Sequence, residues 1–205
     1  MRERTKEHFP TVLLTLLSIV QALALELLWS FLHEHAYLYE LSWAAVHTWI
    51  QVSATFLGLI LVLVAYVGNV MRFSWVPSTS DTVFPFAIGI LQFMLIDTMG
   101  PDNIAYWFLL MAGIFTMMHW VAHSTMVKAR NDSDNADFFK SRAPAELRDF
   151  YPQITSVIFI SGVGFVLLLY PGISILSTLG LLGVISLFLF QYYSVARFWE
   201  NSVAE

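Results

Sequence analysis

Residues 10–32 read PTVLLTLLSIVQALALELLWSFL, a long apolar run interrupted by one carboxylate, Glu26. About 20 apolar residues are what a helix needs to cross the hydrocarbon core of a bilayer, so this stretch predicts a membrane span and decides the fold. Wound at about 100° per residue, Thr11, Thr15, Ser18, Ala22, Glu26, Ser30 and His33 fall within roughly a third of the helix circumference. Such a small and polar stripe faces protein or water, with the opposite face toward lipid. An acid inside a span is costly, which makes Glu26 the first candidate functional residue.

The composition agrees with a membrane protein. Of 205 residues, 58% are hydrophobic and only 12% charged, about half the charge of a water-soluble domain, and mean hydropathy is +0.68. The length suits one domain, 1–205, nearly all of it within the bilayer. A formal net charge of −5 offers none of the basic surface that nucleic acid requires. The absence of cysteine excludes disulfides, thiolate metal sites, iron–sulfur clusters and cysteine catalysis. The opening MRERTKEHFP precedes an apolar run as a signal peptide would, yet that run is long enough to span and no small-residue cleavage site follows. It is read as the start of the first helix.

Six apolar segments, 10–32, 43–70, 82–97, 103–124, 153–170 and 172–196, predict an all-α polytopic fold with six transmembrane helices. The third is short, contains Pro85 and Gly89 and ends at Asp97, so a re-entrant helix is the alternative. Charge placement chooses between them. With six spans and both termini cytoplasmic, all 10 Lys and Arg fall in the inner pieces 1–9, 71–81, 125–152 and 197–205, as the positive-inside rule demands. A re-entrant third segment would leave the basic 125–152 loop outside. The bias points to an energised membrane such as the bacterial inner membrane. Trp29, Trp43, Trp49 and Trp107 are expected at the outer boundary and Trp75, Trp120 and Trp199 at the inner one.

Within the cytoplasmic loop 125–152, Asn131–Asp137 reads as solvated linker. Asp132 and Asp134 alternate as in a calcium loop, but the central Gly and closing Glu are missing. The run from Pro144 to Arg148 suggests a short surface helix, and Pro171-Gly172 a hairpin between the last two spans. Ser161, Gly162, Gly164, Gly180, Gly183 and Ser186 allow those spans to approach closely.

A second stripe on the second span, His47, Gln51, Ala54, Gly58, Ala65 and Asn69, is the natural partner of the first. Depth permits a Glu26–His47 contact beneath a rim of His33, Glu34, His35, Glu40, Asp97 and Asp102. Such a rim can concentrate cations at a pore mouth, hold a transition metal through His33-x-His35 with Glu26 or His47, or simply cap a packed seam. His119 and His123, spaced i, i+4, have metal- or haem-ligand geometry. No phosphate loop, catalytic triad or nucleotide fingerprint is present, so no catalytic residue is assigned.

In length and span number the chain is similar to the bacterial relatives of the lysosomal-type potassium channels, which assemble around their first helix. Their Arg-x-x-x-Phe-Ser-Asp signature is not matched: Arg4-Thr5-Lys6-Glu7-His8-Phe9-Pro10-Thr11 carries the Phe one place late and lacks the Ser-Asp. The likeness is one of size and topology. The leading expectation is a homo-oligomeric channel or permeation protein for small cations or protons, with helix one lining the path. Its polar stripe is Thr11, Thr15, Ser18, Glu26 and Ser30, joined by His47 and Gln51. No cofactor is expected on that reading, and its partners are the lipid bilayer, further copies of the chain and the permeating ion. The alternatives are a non-catalytic subunit of a larger membrane complex, and a haem- or metal-binding redox protein using His33, His35, His47, His119 or His123.

Overall fold

The computed structural model describes residues 2–140, 142–170 and 175–203, and it contains no strand among them. The long helices are α1 (Arg2–Glu34), α2 (Trp43–Arg72), α3 (Thr79–Asp97), α4 (Ile104–Arg130), α6 (Tyr151–Leu169) and α7 (Ile175–Val203), with a single-turn α5 (Ala136–Phe139) between α4 and α6. These six are long and apolar enough to cross a membrane, so the chain is an integral multi-pass membrane protein in contact with lipid. The third segment is a full span: its 19 residues reach about 28 Å at about 1.5 Å per residue, with Pro85 buried inside it. The Pro171-Gly172 hairpin lies outside the described residues.

The helices close into a ring in which neighbours run α1–α2–α7–α6–α4–α3 and back to α1, with α2 and α4 also touching across the middle. Small residues set the tightest approaches. A Cβ on Gly89 would lie 2.5 Å from Val20 Cγ1, and one on Gly164 would lie 2.9 Å from Leu109 Cδ2. One on Gly180 would meet Val163 at 2.8 Å, and one on Gly183 would meet Phe159 at 2.8 Å. The turn between α3 and α4 needs its glycine for another reason: Gly100 has φ 116°, open to glycine at little cost.

The basic residues gather at one end of the bundle, where Lys6, Lys128, Arg130 and Arg142 make their contacts. We refer to this as the basic end and to its opposite, at Glu34 and Trp43, as the far end. Three expectations need correcting here. Asn131–Asp137 is a folded knot. Asp132 is buried and pairs with Lys6 at 2.6 Å. Buried Asn135 accepts from Ser74 N at 3.1 Å and donates to the Ser74 and Ala129 carbonyls at 2.6 and 2.8 Å. A polar side chain that completes three backbone bonds is structural rather than solvated. Pro144 to Glu146 is not helical, and only Leu147–Phe150 turns, as a single 3₁₀ turn. Trp107 is no interfacial anchor: it is 0% exposed, and its Nε1 donates to Thr55 Oγ1 at 3.1 Å.

Candidate functional site

α1 packs through Leu13, Leu17, Val20, Ala24, Leu28 and Phe31. Its small and polar stripe is therefore on the other side. Thr11, Thr15, Ser18, Ala22, Glu26 and His33 are all exposed, and Ser30 is half-buried. The Thr15 and Ser18 hydroxyls donate to the carbonyls of Thr11 and Leu14, each at 2.8 Å. Hydroxyls satisfied by their own helix can face hydrocarbon at small cost. Among the described residues Glu26 has no such device, and it sits on a face that no other described helix covers.

The two stripes do not meet. His47 is fully buried against α7, its Nε2 3.0 Å from Ser177 Oγ, while Glu26 points out of the bundle. Gln51, also fully buried, accepts from Gly100 N at 3.1 Å. The buried face of α1 carries a polar residue of its own, Gln21, whose Nε2 donates to Gln92 Oε1 on α3 at 3.2 Å. The signal for this pair is a glutamine in each of two apolar spans, the first and the third, which run parallel and place the two side chains at matching depth.

The histidines are dispersed. Nδ1 of His33 donates to the Trp29 carbonyl at 3.1 Å, and that of His35 to the Phe31 carbonyl at 2.9 Å, beneath a stacked Phe31 ring. Exposed His123 meets the edge of Phe150. Among the described residues no three His, Asp or Glu side chains form a metal-holding group, so the geometry does not bring His33, His35 and His47 to one point.

What the ring does enclose is a cavity of about 870 Å³ in its basic half. α2 and α4 meet beside Thr55 and Trp107 and part beyond Gly58. The blind end is the stack of Phe115 on Phe188, with centroids 5.1 Å apart and planes at 12°. From there the walls are the Leu61–Val70 stretch of α2, the 114–125 stretch of α4, the start of α6 and the last turns of α7. Exposed Pro152, Thr155, Phe190, Tyr192 and Glu200 mark its mouth. The lining is mainly aliphatic and aromatic, and its polar groups include Tyr66, Asn69, Asp81, His119 and Gln191. His119 stands one turn below the aromatic stack, and its Nδ1 donates to the Phe115 carbonyl at 2.7 Å. Sequence periodicity singled out His119 but not the cavity, because residues from helices far apart in the chain build it.

Comparison with protein-family models, with curated proteins and with solved structures gives no match.

Proposed function

We propose that this membrane protein takes up an apolar, membrane-dissolved small molecule in the cavity of its basic half. The observation that carries the reading is the cavity itself. Its 870 Å³ lies within the range of about 300–1,000 Å³ typical of ligand sites, and its walls are apolar with a few polar groups. The concentration of Lys and Arg at this end supports a cytoplasmic setting for the mouth and for both termini, as in a bacterial inner membrane. Ala65 lies on the α2 wall, and Ala65→Trp would fill the space. Native mass spectrometry of the purified wild type is expected to show a retained small-molecule adduct, lost in the helical, folded variant. Equal adducts on both proteins, or none on either, would remove the cavity as the working site.

A second reading, a homo-oligomeric channel for small cations or protons with α1 on its axis, is favoured by one observation: Glu26 stands on an uncovered face of a spanning helix. A carboxylate there calls for another copy, a partner subunit or water. In liposomes, Glu26→Gln should change cation selectivity or lower flux at least several-fold. A purified chain that conducts nothing and carries stoichiometric partners would turn this face into an assembly surface of a larger complex.

A further inference from the structure

We infer that the cavity receives the hydroxyl-bearing head of an uncharged molecule, a lipid alcohol or a hydroquinone, with His119 as the acceptor of its hydrogen bond. The inference rests on the cavity reading above and adds the chemistry of the head. A backbone carbonyl can only accept, so the 2.7 Å contact with Phe115 places the hydrogen of His119 on Nδ1. In the neutral ring Nε2 then holds a lone pair, a hydrogen-bond acceptor. Among the described residues no side chain donates to that nitrogen. His119 is half-buried on the wall, next to the blind end closed by Phe115 and Phe188. A donor on an apolar body fits there; a plain hydrocarbon would leave Nε2 unpaired.

The charges exclude acidic heads. Among the described lining residues the charged side chains are Asp81 and Glu200, with no Lys or Arg. The nearby ammonium of Lys128 is engaged by Asp81 Oδ1 at 2.5 Å and by Ser78 Oγ at 2.8 Å. A carboxylate or phosphate head would find no unpaired cation on the described lining, and a desolvated anion needs one. The propionates of haem meet the same obstacle. Tyr66 adds a second polar group on the wall, 5% exposed, whose hydroxyl lacks a partner among the described residues.

The test titrates purified protein, by native mass spectrometry, with hexadecanol, its methyl ether, hexadecanoate, and a decyl hydroquinone with its dimethyl ether. Wild type should bind at least one hydroxyl compound about fivefold more tightly than the matching ether, the contribution of one net hydrogen bond, and should bind hexadecanoate more weakly than either. The tighter of the two hydroxyl compounds identifies the source. His119→Phe should erase the hydroxyl preference while binding the ethers as wild type does, which also certifies its fold. His119→Gln, which keeps an acceptor oxygen, should restore part of the preference. A wild type that binds each hydroxyl compound and its ether equally, a preference that survives His119→Phe, or a haemin Soret shift dependent on His119 would overturn the inference while leaving the cavity reading standing. Failure of all five probes to bind would take down both.

Discussion

At the far end α2 is joined to its neighbours by buried polar side chains, whereas at the basic end the same helix stands apart from α4 and α7 around a cavity. The far-end contacts are direct: His47 to Ser177 at 3.0 Å and Trp107 to Thr55 at 3.1 Å between helices, and Gly100 N in the α3–α4 turn to Gln51 at 3.1 Å. The basic end is held at its margins, by Lys6 with Asp132 and Asp134 at 2.6 and 3.0 Å and by Lys128 with Asp81 at 2.5 Å. Water cannot replace a hydrogen bond in the hydrocarbon core, so the far end is clamped. The ion pairs sit at the rim of the bundle, lysines 16% and 26% exposed reaching carboxylates that are 4% and 6% exposed. Side-chain bonds between the middles of the helices thus lie away from the cavity, and the end that would admit the proposed ligand is tied at its edges.

The largest expected effect tests the margin. Asp81 is nearly buried, its side chain 6% exposed, and besides Lys128 it accepts from Ser78 N at 2.8 Å and Trp75 Nε1 at 3.3 Å. Lys128→Met strands a buried carboxylate and should cost about 3 kcal/mol in denaturant unfolding from bicelles, with hydrogen exchange rising first in α3 and the 125–140 stretch. Adding Asp81→Asn should recover most of the loss. A single variant as stable as wild type would mean that the basic end is held by the Lys6 pairs and the Asn135 knot without Lys128.

Next is the close approach that brings α7 onto α4 and α6. A Cβ at Gly180 would stand 2.8 Å from Val163 Cγ1 and 2.9 Å from Phe108 Cζ, whereas one at Gly162 meets nothing within 4 Å. Gly180→Ala should therefore cost about 2 kcal/mol by overpacking, and Gly162→Ala should be near neutral in the same thermal scan. Equal effects would show that small residues in these spans do not fix the ring.

Much of the fold was legible because hydropathy and charge act over whole segments. Six spans, including the full-length α3 from Thr79 to Asp97, follow from apolar length and from where Lys and Arg lie. Facing was not legible. In lipid the outside of a helix is as apolar as its inside, so the α1 stripe could be placed on one face but not assigned a neighbour, and the structure turns it outward. Trp107 went the same way, since a tryptophan near a boundary reads as an anchor until a helix is found to cover it. The Asn131–Asp137 knot was missed for a different reason. Its side chains complete backbone groups at Ser74 and Ala129 and pair with Lys6, and composition alone shows only that they are polar. The cavity depends on where helices fail to touch, which no single segment encodes.

The smallest effect examines whether polar bonds clamp one end more than the other. Thr55→Val removes the acceptor of Trp107 Nε1 and the donor to Met99 Sδ at 3.5 Å, leaving an indole N–H fully buried with no water to turn to. Hydrogen bonds in membrane interiors contribute modestly because the unfolded chain also finds partners, so the expected loss is about 1 kcal/mol. The matched change at the basic end is Ser156→Ala, whose hydroxyl donates to the Pro152 carbonyl of its own helix at 2.8 Å. That carbonyl keeps its place in the helix without the serine, so the variant should stay within about 0.5 kcal/mol of wild type. Tryptophan fluorescence followed through unfolding reads both. A Ser156→Ala loss as large as that of Thr55→Val would erase the distinction between a clamped far end and a basic end tied at its edges, whereas the predicted gap locates the inter-helical bond at Thr55 as the boundary above the cavity.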